Sequence, residues 1–114
     1  MRRLFVYTPL VQVRLKEFDD ADVKARQIEN EILNNPDLGD IVPGTGGVRK
    51  FRITDETRGK GKRGGLRIFY LDLPHVEKSF VLFLLRKGEA EDLTAEEKKT
   101  IREIVANIKK ECKP

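Results

Sequence analysis

The side chains with most chemical potential in this chain are cations, and they are bunched. Residues 48–67 carry eight basic residues (Arg49, Lys50, Arg52, Arg58, Lys60, Lys62, Arg63 and Arg67) against two acidic ones, Asp55 and Glu56, a net +6. The rest of the chain has 15 basic and 17 acidic residues, a net −2, so one stretch holds the whole positive excess of +4. Such a concentration suits a polyanion, because phosphates are gripped by Lys and Arg. In a strand, Lys50 and Arg52 share a face, since side chains alternate with a period of two. Glycines 59, 61, 64 and 65 let the intervening backbone approach a phosphate chain closely. The plain alternative is a solvated loop whose lysines serve solubility.

Other chemistries find no support. One histidine and one cysteine cannot build a zinc site, and neither CxxC nor HExxH spacing occurs. The stretch Gly59–Gly65 lacks the Gly-Lys-Ser/Thr end of a phosphate-binding loop of the NTPase type. No metal or cofactor is therefore expected. Phe69 and Tyr70 are the aromatic residues placed to stack on a base, although a strand tyrosine packed against a helix reads Tyr70 equally well. His75 follows Pro74 and is expected to be an exposed turn residue rather than an acid–base group. The lone Cys112 rules out an internal disulfide and fits a reducing compartment. The apolar run at Leu4–Tyr7 is too short for a signal sequence or a membrane span, so a soluble cytoplasmic protein is expected.

The elements that must position these cations can be read in order. At 114 residues, with 39% hydrophobic and 37% charged, the chain is expected to form one domain over 1–114 with one modest core and a heavily solvated surface. Leu4 to Tyr7 reads as a strand. Thr8 caps a helix with Pro9 at its first position, and Val11, Leu15 and Phe18 recur at helical spacing. Asp19 or Asp20 caps a second helix carrying the stripe Ala21, Ala25, Ile28 and Ile32; Asn35 before Pro36 ends it. Residues 36–47 form a loop rich in Pro and Gly. Val48 to Ile53 is a strand, 54–65 a flexible connection, and Leu66 to Leu73 a strand turned at Pro74-His75. Phe80 to Leu85 is apolar on both faces and is expected to be a central strand. Thr94-Ala95-Glu96-Glu97 is a capping box, and Ile101, Ile104, Val105, Ile108 and Cys112 make one helical stripe. The order is that of an α+β domain with helices packed on an antiparallel sheet.

Three blocks of this sequence resemble the RelE/ParE superfamily of bacterial toxins, in its HigB-type branch. They are residues 35–52, from Asn35-Pro36-Asp37-Leu38-Gly39 to Arg49-Lys50-Phe51-Arg52; residues 59–70, from Gly59-Lys60-Gly61-Lys62-Arg63 to Ile68-Phe69-Tyr70; and residues 87–94, Lys87-Gly88-Glu89-Ala90-Glu91-Asp92-Leu93-Thr94. Their order and spacing match over roughly residues 4–112. The resemblance implies a RelE-like sheet with two N-terminal helices and one C-terminal helix. It implies a toxin of a type II toxin–antitoxin pair: a ribosome-dependent mRNA endonuclease (an mRNA interferase) that inhibits translation. It further implies a cognate antitoxin, often of helix-turn-helix type, mRNA in the A site of the ribosome as substrate, and operator DNA reached only through the antitoxin complex.

RNA supplies its own nucleophile, the 2′-OH, so a cutting enzyme must align it, take its proton and stabilise the extra negative charge. Clustered cations suit these tasks without metal, and they favour the neutral form of a lysine that could act as base. Carried over from the matching motifs, Arg67 is the expected holder of the scissile phosphate, through its planar fork of donors. Lys87 is expected to stabilise charge or donate a proton, and Lys60, Lys62 and Arg63 are candidates for transition-state stabilisation or proton transfer. Arg49, Lys50, Arg52, Tyr70 and Arg86 are the expected RNA contacts. Many relatives have a tyrosine where this chain has Leu85 and a small residue where it has Arg86. Either Arg86 or a loop lysine substitutes, or activity is reduced. The alternatives are a toxin of the same fold that poisons gyrase, in the ParE manner, and a non-enzymatic ribosome- or RNA-binding module.

Overall fold

Alternating apolar residues, proline and capping hydroxyls divide the described residues into five strands and three α-helices. The computed structural model describes residues 2–55, 61–86, 88–89 and 92–113, with Asp55 and residues 61–64 described by their backbone alone. Strand β1 (Leu4–Tyr7) leads into helix α1 (Pro9–Leu15) and helix α2 (Ala21–Asn34). Strands β2 (Asp40–Ile41), β3 (Arg49–Asp55), β4 (Gly61–Leu73) and β5 (Lys78–Arg86) follow, and helix α3 (Ala95–Glu111) closes the order.

Local chemistry explains the helix ends. The Thr8 hydroxyl accepts the Val11 N–H at 3.4 Å and donates to the Leu82 carbonyl at 2.9 Å, so one side chain caps α1 and ties it to β5. Asp20 stands at the start of α2 but makes no side-chain cap; its carboxylate receives the ammonium of Lys24, one turn on, at 2.8 and 2.9 Å. That pairing lets Lys24 be 1% exposed above the Phe18 ring. Asn35 is extended and ends α2, as its position before proline requires. The Thr94 and Glu97 side chains bond each other's backbone N–H groups in a complete capping box on α3.

The sheet order is β1-β5-β4-β3-β2. It departs from the expected antiparallel sheet in one respect. β2 to β5 are antiparallel, but β1 runs parallel to β5, so the sheet is mixed. Arg3, just ahead of β1, donates to the Asp72 carboxylate on β4 at 2.7 and 3.1 Å, and Ser79 bonds the same group. The Asp72 hydrogen bond raises the Arg3 pKa above its ordinary value, against the opposing pull of burial. Losing either partner would strand a largely buried charge.

Two further boundaries differ from the sequence reading. Residues 61–65, expected in a flexible connection, are the first part of β4, and Thr54 and Asp55 end β3. Backbone pairing across the hairpin overrides the weak strand preference of glycine there. The loop after α2 also contains β2, whose two residues pair with Lys50 and Arg49. Gly39, at φ +89, precedes it; a Cβ there would lie 2.0 Å from the Lys50 carbonyl oxygen, so only glycine lets the two backbones meet.

The core lies on both faces of the sheet. Val11, Leu15, Ile28 and Ile32 of α1 and α2 pack on Phe51, Ile53, Leu66, Ile68 and Leu84. Ile101 and Val105 of α3 pack on Phe69, Leu71, Leu82, Phe83 and Leu85 of the opposite face. Each such buried aliphatic side chain contributes about 1.5–3 kcal/mol. β5 is an interior strand, and double coverage explains its nearly continuous apolar character. Among the described residues, no helix is long and apolar enough to cross a membrane.

Candidate nucleic-acid interface

The alternation of β3 and β4 sorts the expected RNA-contacting residues into two sets. Phe51 pairs with Ile68 and Ile53 with Leu66, and all four belong to the core beneath α1 and α2. Their neighbours Lys50, Arg52 and Arg67 therefore face the α3 side. Arg52 and Arg67 are direct cross-strand partners, which puts their Cβ atoms about 5 Å apart. Arg52 is exposed and Arg67 half-buried. Among the described residues, neither guanidinium has an ion-pair or hydrogen-bond partner. Two like charges directly opposite on adjacent strands cost stability. An anion between them would turn that repulsion into attraction, and two planar donor forks can grip adjacent phosphate oxygens.

Lys50 stands two residues from Arg52 and is already engaged. Its ammonium donates to Asp92 Oδ2 at 2.7 Å, while Asp92 Oδ1 accepts the Leu93 N–H at 2.8 Å. Burial alone would raise the Asp92 carboxyl, but the Lys50 ammonium and the Leu93 N–H outweigh it and hold the group below its usual range. This ion pair fastens the start of α3 to β3 beside the two arginines. It also places one carboxylate at the edge of an otherwise cationic face.

Arg49, Tyr70 and Arg86 lie on the other face, and each has a structural task there. Arg49 donates to the Gly39 carbonyl at 3.0 Å and approaches Asp37 at 3.9 Å, bracing the loop before β3. Tyr70 is 0% exposed and meets Phe51 edge-to-face at 5.4 Å. Its hydroxyl contacts the Pro36 and Leu38 carbonyls at 3.0 and 2.8 Å. Burial pushes its phenol up to about 12, with the nearby Arg49 charge opposing. Of the two readings of Tyr70, the packed tyrosine describes this structure; its ring has no free face for a base. Arg86 pairs with Glu17 at 2.9 Å and lies 4.4 Å from the Phe18 ring centroid. Leu85 is buried beneath α3. Arg86 thus points away from Arg67.

Four expected site residues are not described to the level of a side chain. Lys60 and Lys87 lie outside the described residues, and Lys62 and Arg63 are known only as backbone of β4. His75 is exposed in a single 3-10 turn (Pro74–Val76), where its ring meets the Cys112 carbonyl at the end of α3. Neither residue adjoins the arginine pair.

The sequence reading missed a cluster at the end of β5. Arg14 of α1 donates to both Glu89 carboxylate oxygens, at 3.0 and 2.9 Å, and Glu89 Oε1 also accepts the Arg86 N–H at 2.7 Å. The Arg86 N–H and then Arg14 hold the Glu89 carboxyl below its ordinary range. The glutamate was visible in the sequence, but nothing in the spacing tied it to α1.

No family model matches the chain. The α3 face presents a pair of guanidiniums without a carboxylate partner among the described residues, an adjacent lysine held by a carboxylate, and a well-packed sheet beneath them.

Proposed function

We propose that this protein is a toxin of the RelE/HigB type, an endoribonuclease that cuts messenger RNA on the ribosome and is neutralised by a cognate antitoxin. The observation that carries the reading is the Arg52–Arg67 pair, two facing guanidiniums with no protein partner among the described residues. A sheet that tolerates this repulsion has a use for it, and the fitting ligand is a phosphate diester. The resemblance of the three sequence blocks supplies the substrate class and the partner.

In this reading Arg67 and Arg52 clamp the scissile phosphate and the one beside it. Charge develops on the phosphoryl oxygens as the RNA 2′-OH attacks, and preorganised guanidiniums stabilise it without rearrangement. Lys50, released from Asp92 or shared with it, adds a further contact to the RNA backbone. Lys60, Lys62, Arg63 and Lys87 remain candidates for proton transfer and charge stabilisation. Arg49, Tyr70 and Arg86 hold the scaffold.

The test is to map RNA 5′ ends in cells before and after induction of the native protein and of Arg67→Ala. New ends within codons for the native protein alone support the reading. Toxicity with intact transcripts rejects it. A buried leucine at position 85 favours one second reading, a ribosome-binding module without activity. That module would bind ribosomes in a salt-sensitive manner and create no new ends.

A further inference from the structure

Away from the arginine pair, a connected cluster of charged side chains joins α1 to the end of β5. Arg14, Glu17, Arg86 and Glu89 contribute two charges of each sign. Glu89 accepts two contacts from Arg14 and one from the Arg86 N–H. The Glu89 N–H closes the turn onto the Arg86 carbonyl at 3.1 Å, with Gly88 at φ +94 between them. Arg14 lies 5.4 Å from the Phe83 ring centroid, and Arg86 lies over Phe18 and pairs with Glu17. Exposed ion pairs contribute little to stability. A carboxylate that both caps a strand end and binds an arginine from another element does more than solvate a surface.

The register shows what this cluster bears on. Arg86 is the partner of Leu66, and Leu85 is the partner of Arg67. The strand end that Glu89 caps is therefore the one lying alongside Arg67. We infer that Glu89 is a positioning residue, which with Arg14 fixes the end of β5 and so holds Arg67 in register for the phosphate. This rests on the nuclease reading above. It assigns Arg14 and Glu89 a role in rate rather than in binding, since they are engaged with each other and with the Arg86 N–H rather than with the arginine pair.

The experiment uses ribosomes carrying a defined message, with ribosome affinity and single-turnover cleavage measured separately. Glu89→Gln and Arg14→Ala are expected to lower the cleavage rate by about tenfold to a hundredfold, the scale of a small misplacement of a reacting group. Affinity is expected to stay within about twofold, which separates lost positioning from lost binding. Arg14→Lys, which keeps the charge, is expected to recover part of the rate. Should Glu89→Gln fail to fold, Arg14→Ala and Arg14→Lys, outside the turn, carry the test. The inference is overturned if folded variants cut at the native rate, or lose affinity and rate to the same extent. If the native protein makes no cut, the nuclease reading itself fails, a result distinct from either.

Discussion

Arg52 and Arg67 pay for their proximity in stability, and this makes their role measurable apart from catalysis. Replacing Arg52 by threonine removes the cross-strand repulsion and adds a residue that favours strands. Arg52→Thr should stabilise the fold by roughly 0.2–1 kcal/mol in urea unfolding. The same variant should bind ribosomes less tightly, with a salt dependence shallower by about one unit of slope, as expected for one lost phosphate contact. A gain in stability with unchanged binding would mark Arg52 as a surface charge without function. Tyr70 makes the opposite case. Tyr70→Phe leaves its carbonyl partners without a donor in a buried site and should cost about 1–3 kcal/mol. Its cleavage rate, measured where the variant is fully folded, should match the native protein. Legibility at this scale followed distance along the chain. The shared face of Lys50 and Arg52 is a matter of strand period and was visible. The sequence alone leaves Arg86 as a candidate RNA contact, because the Glu17 that pairs with it lies 69 residues away. The burial of Tyr70 depends on the Pro36 and Leu38 carbonyls, which only the folded loop brings to it.

The elements were more legible than their connections. β1, α2 and α3 fall where the apolar stripes put them, because those signals are local, whereas α1 stops at Leu15, short of Phe18, and α2 starts after Asp20 without a side-chain cap. The capping box on α3 stands next to Asp92 and Lys50, so its strength bears on the cationic face as well as on the helix. Thr94→Ala should cost about 1 kcal/mol in thermal or urea unfolding, and a cost near zero would mean that packing of Ile101 and Val105 alone holds the helix start. β4 begins at Gly61 rather than at Leu66, because clustered glycines and lysines carry a turn signal that pairing with β3 overrides. The parallel placement of β1 beside β5 had no local signature at all. It comes from the Arg3–Asp72 ion pair, the β1–β5 ladder and the return path through α1 and α2, each of which joins distant parts of the chain.

For the molecule as a whole, the charge imbalance was plain in the sequence, but its division between the two faces was not. Composition placed the positive excess in residues 48–67, and strand alternation then gave Lys50, Arg52 and Arg67 to one side and Arg49 to the other. The carboxylates that brace this arrangement give the protein an acid limit. The carboxyls of Glu89 and Asp92 titrate below their ordinary 4.5 and 3.8 in the folded state. The unfolded chain therefore binds their protons more readily. Their contribution is complete above the ordinary values and is lost as pH falls through the depressed folded ones. Stability followed by urea unfolding should decline in that window, and Glu89→Gln with Asp92→Asn should flatten the decline. An equally steep acid limb in that double variant would place the responsible carboxylates elsewhere. The central claim, that the paired guanidiniums act on RNA, is tested most directly by Arg67→Ala on ribosomes carrying a single defined message. The account predicts a cut by the native protein and a rate lower by about a hundredfold or more in the variant, the scale of losing one charge-stabilising donor, with its melting temperature retained. A folded Arg67→Ala protein that cuts the message as fast as the native one would contradict it.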